Sequence, residues 1–178
     1  MKSWKKISEK LLLEHPRISI YEDEVELPNG RRTQYLRFTN RGDAAQVIVV
    51  DDSGKILVQK EYSYPPNEWL YQFPGGKIDN NESPADGAKR ELAEESQYSA
   101  DLTEIGWFYV DNRRSDSKFY VFMATNIKTI STHSSDDEEE FEHYWLTEEE
   151  IDHLIKDGDI KNYSFLAAWA FYKTRNVL

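Results

Sequence analysis

The chain has 178 residues, 39% of them apolar and 13% aromatic, enough to furnish a core for one domain of somewhat above average size, with or without a small appendage. A net charge of −11 excludes a broad surface that tracks DNA or RNA phosphates, although metal ions can still bring a polyphosphate to an acidic protein. Cysteine is absent, which rules out disulfides, zinc–thiolate sites and cysteine nucleophiles, and no apolar run approaches membrane-spanning length. Residues 1–10 lack the apolar stretch of a signal peptide, so a soluble cytoplasmic protein without a membrane partner is expected.

In chain order, residues 1–14 carry Trp4, Ile7, Leu11, Leu12 and Leu13 among charges, a pattern that suits a short amphipathic arm or helix. Residues 18–27 alternate apolar and polar, Pro28-Asn29-Gly30 signals a turn, and residues 33–39 resume as a strand, which together read as a β-hairpin. Residues 45–50 form a buried-type strand that turns through Asp51-Asp52-Ser53-Gly54 into a second one at 55–61. A loop at 62–67 leads to a short strand at 69–73, which stops at Pro74-Gly75-Gly76. Ser83-Pro84 opens a helix with serine as N-cap and proline at the first helical position, and Asp86 sits where a capping acid would sit. Strands follow at 105–110 and 119–124, flanking the polar loop 111–117. A strongly acidic stretch reaches Asp136-Asp137-Glu138-Glu139-Glu140, and a strand at 141–146 comes after it. Thr147 caps a helix that Gly158 ends, and residues 163–173 form a last, aromatic-rich helix. This order predicts an α/β fold: a sandwich with a mixed sheet, preceded by an N-terminal hairpin segment at 1–40, with the main domain at 41–178.

The most informative stretch is Gly76, then Glu82, then Arg90-Glu91-Leu92-Ala93-Glu94-Glu95. At ordinary residue frequencies the six fixed positions Gly76, Glu82, Arg90, Glu91, Glu94 and Glu95 coincide by chance roughly once in ten million starts. On a helix Glu91 and Glu95 share a face, with Glu94 on its flank, and carboxylates so close repel one another. Arg90 can pair with Glu94 one turn on, but a single such pair contributes only a few tenths of a kcal/mol. A hard divalent cation, Mg²⁺ or Mn²⁺, would neutralise the rest while keeping coordination sites for a phosphate. The Gly75-Gly76 turn leaves a backbone carbonyl unobstructed as a further ligand.

These residues resemble the Nudix box, G-x5-E-x7-R-E-U-x-E-E-x-G-U, with Leu92 and Tyr98 in the apolar slots U and Gln97 in place of the second glycine. Further likeness lies in Leu27-Pro28-Asn29-Gly30, Lys60-Glu61-Tyr62, Trp69, Phe73-Pro74-Gly75-Gly76 and Gly158-Asp159-Ile160-Lys161-Asn162. In these the chain resembles the ADP-ribose pyrophosphatase and nucleoside-diphosphate-sugar hydrolase branch, over about residues 18–175. The resemblance implies a Nudix α/β/α sandwich that hydrolyses the diphosphate bond of nucleoside diphosphate sugars with a divalent metal. It also implies a homodimer, often with exchanged N-terminal segments. By the same resemblance Glu91 and Glu95 are metal ligands, Glu94 a third carboxylate and Gly75 a carbonyl ligand. Gly76, Glu82 and Arg90 take structural roles, Arg90 by orienting the glutamates.

In this branch the base, or a further metal ligand, lies in an acid-then-apolar pattern just before a late strand. Here that is Glu140-Phe141, with Glu139 and Glu138 as neighbours; the alternative is a merely solvated acidic loop. His143 is an outside candidate. Arg113 and Arg114 suit bidentate contacts to phosphate or sugar oxygens, unless they are simply exposed loop residues. The loop lacks the proline common in ADP-ribose pyrophosphatases, and Ser63 replaces a common arginine, so the sugar is left open. Tyr21, Tyr35 and Phe38 are candidates to stack on a nucleobase, and Arg37 to reach a phosphate. Alternatives are a catalytically silent nucleotide-sugar-binding module and a hydrolase of dinucleoside polyphosphates. Isopentenyl diphosphate isomerase chemistry is excluded by the missing cysteine, and a long nucleic acid is disfavoured by charge.

Overall fold

The computed structural model describes residues 2–39, 42–131 and 141–175. The chain divides into two compact units: residues 1–43 with 109–118, and residues 44–108 with 119–178. Among the described residues no helix is long and apolar enough to cross a membrane.

The first unit is an antiparallel sheet of β1 (Lys5–His15), β2 (Ile18–Glu26) and β3 (Arg32–Thr39), joined by the polar loop of 109–118. The expected hairpin is β2–β3, with Glu26 opposite Arg32 and Gly30 donating its N–H to the Leu27 carbonyl at 2.9 Å. Residues 1–14 differ from expectation: their main element is a strand and not a helix. Its pairing with β2 shifts register between Lys6 and Ser8 and again between Leu11 and Leu13. Two such irregularities disturb the period of 2, and the resulting apolar spacing mimics a helical one.

In the second unit, β4 (Ala44–Val49) pairs parallel with β9 (Lys118–Thr129) and antiparallel with β7 (Gly75–Lys77), while β8 (Tyr98–Tyr109) lies beyond β9. A second sheet orders β10 (Phe141–Leu146), β5 (Ile56–Ser63) and β6 (Glu68–Gln72), all antiparallel. The strand β4 and the first half of β5 are buried on both faces, which explains their continuous apolar runs. Ile48, Ile56 and Val58 pack with Phe165, Ala168 and Trp169 of α3 (Tyr163–Arg175) and Ile151 of α2 (Glu148–Asp157). Ala45, Val47, Val49 and Leu57 face Ala88 and Leu92 of α1 (Pro84–Ser96). Helices on two sides of mixed strands make the expected α/β/α sandwich. β8 is longer than the sequence suggested, because Tyr98, Ala100 and Leu102 pack against the α1-side core and carry the strand back to the end of α1.

Capping follows local chemistry. Thr147 and Glu150 form a reciprocal capping box on α2, and Ser83 Oγ accepts the Asp86 N–H at 3.1 Å on α1. The C-cap of α1 is Gln97, left-handed at φ 59° and ψ 33°, the position where the box motif has glycine. A side chain there carries a steric penalty that glycine avoids. Gln97→Gly is therefore expected to stabilise the fold by about 1 kcal/mol, read as a higher urea midpoint with an unchanged slope.

Candidate active site

The Ser83 cap fixes where α1 begins, and buried Ala88 and Leu92 fix which side faces the core. Glu91, Glu94 and Glu95 are then left toward the Gly75-Gly76 segment and the surface. Arg90 organises this acidic face. Its Nε donates to Glu82 Oε1 at 2.9 Å and its Nη2 to Glu82 Oε2 at 3.1 Å, a bidentate grip. Its Nη1 reaches Glu91 Oε1 at 2.9 Å and Glu94 Oε2 at 3.0 Å, and Nη2 also donates to the Lys77 carbonyl at 2.9 Å. The pairing with Glu94 expected from spacing is present, and Glu82 and Glu91 join it. The Glu82 bond, followed by those to Glu91 and Glu94, holds the guanidinium pKa far above its ordinary value. The same Arg90 bond draws the Glu82 carboxyl below the usual range.

Glu95 is held differently. Its Oε2 accepts the Gly75 N–H at 2.7 Å and the Gln59 side-chain amide at 3.0 Å. Gly75 is pressed on β4, where an added Cβ would sit 2.2 Å from the Ala45 carbonyl oxygen. Gly76 makes room for Glu91, whose carboxylate carbon would lie 2.8 Å from a Cβ on that glycine.

With the carboxylates turned to these donors, no group of three acidic or imidazole side chains among the described residues is gathered to hold an ion. The donor set nevertheless fits a hard divalent cation. It offers carboxylate oxygens from one helix face, the Gly75 backbone against Glu95, and a glycine cradle that admits the Glu91 carboxylate.

Of two neighbours of Glu95, Gln59 was not read as a site residue from sequence and His143 was only an outside candidate. Gln59 is 1% exposed in the middle of β5, on the strand face that Leu57 turns to α1. In sequence it only follows Ile56-Leu57-Val58 and opens the polar Gln59-Lys60-Glu61, so nothing local marks it as buried. Its Oε1 is buried without a hydrogen-bond partner among the described residues, a cost of about 1–3 kcal/mol. His143 pairs across the strands with Gln59, and its ring donates to the backbone carbonyl of Glu95. Although the side chain keeps an exposed edge, desolvation of the ring pushes its pKa below the ordinary value, opposed by that bond. The candidate bases Glu138, Glu139 and Glu140 lie outside the described residues.

The first unit has its own recess, of about 490 Å³. Arg37, Phe38, Arg113, Arg114 and Tyr35 line it together with Asp23, so five of the six candidate substrate contacts are brought together. Arg37 is anchored by buried Asp23, Nε to Oδ2 at 2.7 Å, and by Glu9. Arg114 donates to the Leu36 carbonyl at 2.9 Å, and the Tyr35 hydroxyl donates to the Arg113 carbonyl, which ties the loop to β3. The sixth candidate, Tyr21, has its ring covered by the Arg37 guanidinium at 4.3 Å.

Because the atom that meets a Cβ at Gly76 is the end of a flexible side chain, Gly76→Ala should displace Glu91 and leave the fold intact. We expect hydrolytic activity to fall at least about tenfold with unchanged far-UV circular dichroism.

Comparison with known proteins agrees with this geometry. The NUDIX domain model matches residues 40–169. Over 125 residues the chain is 35% identical to the ADP-ribose pyrophosphatase of Bacillus subtilis (strain 168), covering 70% of this chain and 67% of that protein. Over 139 residues it is 30% identical to the ADP compounds hydrolase NudE of Escherichia coli (strain K12), covering 76% and 73%. In fold it is similar to a crystal structure of an ADP compounds hydrolase, with a TM-score of 0.88 over 98% of this chain and 94% of that one, at 20% identity. The chain therefore belongs to the Nudix family and is one of its pyrophosphohydrolases, in the branch that holds the ADP-ribose pyrophosphatases.

Proposed function

We propose that this enzyme hydrolyses the diphosphate bond of nucleoside diphosphate sugars of the ADP-ribose, ADP-glucose or GDP-mannose kind, releasing a nucleoside monophosphate and a sugar phosphate. The observation that carries this reading is the acidic face of α1, with Glu91 and Glu95 set against the Gly75-Gly76 backbone and Glu94 joined to Glu91 through Arg90. The likeness to an ADP-ribose pyrophosphatase and an ADP compounds hydrolase supports the choice of substrate class. Glu91, Glu94, Glu95 and the Gly75 carbonyl would hold Mg²⁺ or Mn²⁺. Such an ion supplies charge neutralisation for the phosphate oxygens and lowers the pKa of the attacking water.

The chain's own residues supply the rest. Arg90 holds Glu91 and Glu94 in place and limits their mutual repulsion before an ion arrives. Glu140, or its neighbour Glu139, takes the proton from the attacking water, with Glu94 as an alternative acceptor. In the first unit Arg113, Arg114 and Arg37 bind phosphate or sugar oxygens, and Phe38 offers an apolar face. The enzyme works as a cytoplasmic homodimer joined through the first unit's sheet, where Trp4, Leu11, Leu12, Leu13 and Leu36 leave about half of their surface exposed.

The catalytic reading is tested by incubating the protein with Mg²⁺ and a panel of ADP-ribose, ADP-glucose, GDP-mannose, UDP-glucose and dinucleoside polyphosphates. Turnover of at least one nucleoside diphosphate sugar is expected, and turnover of none overturns the proposal. Glu95→Gln should lower that activity by at least about 100-fold without loss of folding; retained activity would dismiss the metal assignment. Sedimentation velocity tests the assembly: a dimer for the natural chain and a monomer for Leu12→Asp are expected.

A further inference from the structure

We propose that Gln59 is a positioning residue for the metal-binding carboxylate of Glu95, built into the central strand for that purpose at the expense of packing. The proposal rests on the metal reading above and adds to it a residue outside the box motif. Gln59 occupies a position in β5 that is 1% exposed and that directly follows the core residues Ile56, Leu57 and Val58, before the strand turns polar at Lys60 and Glu61. An apolar side chain would satisfy such a place without residue. The amide instead directs Nε2 at Glu95 Oε2, 3.0 Å away, where the Gly75 N–H also arrives at 2.7 Å. Two donors on one carboxylate oxygen fix the plane of the group and decide which oxygen faces the ion.

The neighbouring strand reinforces the arrangement. His143, in register with Gln59, donates to the Glu95 main-chain carbonyl, so adjacent positions on β5 and β10 hold the same residue at its side chain and its backbone. The other end of the Gln59 amide is the telling part. Its Oε1 is buried and has no hydrogen-bond partner among the described residues. A buried carbonyl left in that state destabilises the fold. A residue selected for stability alone would not carry it, whereas one that must present an N–H to Glu95 has no smaller neutral alternative of that reach.

The two roles give opposite signatures in Gln59→Leu, with Gln59→Met as a second variant of similar volume. Titration of the purified full chain with Mn²⁺, followed by electron paramagnetic resonance, reads the metal affinity. Thermal unfolding without metal reads stability. We expect Mn²⁺ to bind about 10- to 100-fold more weakly to both variants, while their unfolding midpoints equal or exceed that of the natural chain. Natural affinity in both variants would overturn the proposal. So would an affinity loss that is matched by a lower midpoint in both, because that marks a packing role. Failure of the natural chain itself to bind Mn²⁺ at millimolar concentration would reject the metal reading, and this inference with it; the natural chain's titration separates that case from the first two.

Discussion

Like-charge repulsion on one helix is the constraint around which this structure is arranged. Glu91, Glu94 and Glu95 occupy a single turn of α1, with Glu82 close enough to share their arginine. Carboxylates that sit 4 to 6 Å apart raise each other's energy unless something cationic or hydrogen-donating intervenes. Arg90 does so for three of them through one planar group, which a lysine's point charge could not match. Gly75 and Gln59 do so for the fourth with dipoles instead of charge.

That division of labour has a geometric cost elsewhere. For the Gly75 N–H to reach Glu95, the turn must lie directly on β4, and the backbone contact there admits no side chain. For Gln59 to reach the same carboxylate, a polar group must be buried next to Ile56, Leu57 and Val58, in the fully covered half of β5. The core and the acidic site are thus one construction, in which β4 and β5 carry apolar side chains toward the helices on both sides and β5 adds Gln59 on the side of α1.

Much of this was legible in the residues. The box motif located α1, its cap and its carboxylates, because spacing on a helix translates directly into a shared face. The alternating and continuous apolar runs located β4, β5, β10 and the β2–β3 hairpin. What escaped was of two kinds. The first strand was obscured because its register shifts broke the period on which the reading depended. Gln59 and His143 were obscured because their meaning comes from pairing between strands far apart in sequence, and no local pattern encodes that β5 and β10 are neighbours. The four-residue gathering of Arg37, Phe38, Arg113 and Arg114 depends likewise on a distant loop, although each residue was suspect by type.

The irregular pairing of β1 also bears on how the first unit meets other chains. This strand is an edge of its sheet and displays leucines at 11, 12 and 13. A regular edge with such residues would invite an incoming strand to extend the ladder, the usual beginning of fibrous aggregation. Shifts after Lys6 and after Leu11 divide that edge into short stretches whose free N–H and C=O groups are out of step with a straight partner. In the homodimer proposed above, association would thereby proceed by the packing of one apolar face on another, which stops when the two faces are covered, and not by hydrogen-bonded, open-ended growth.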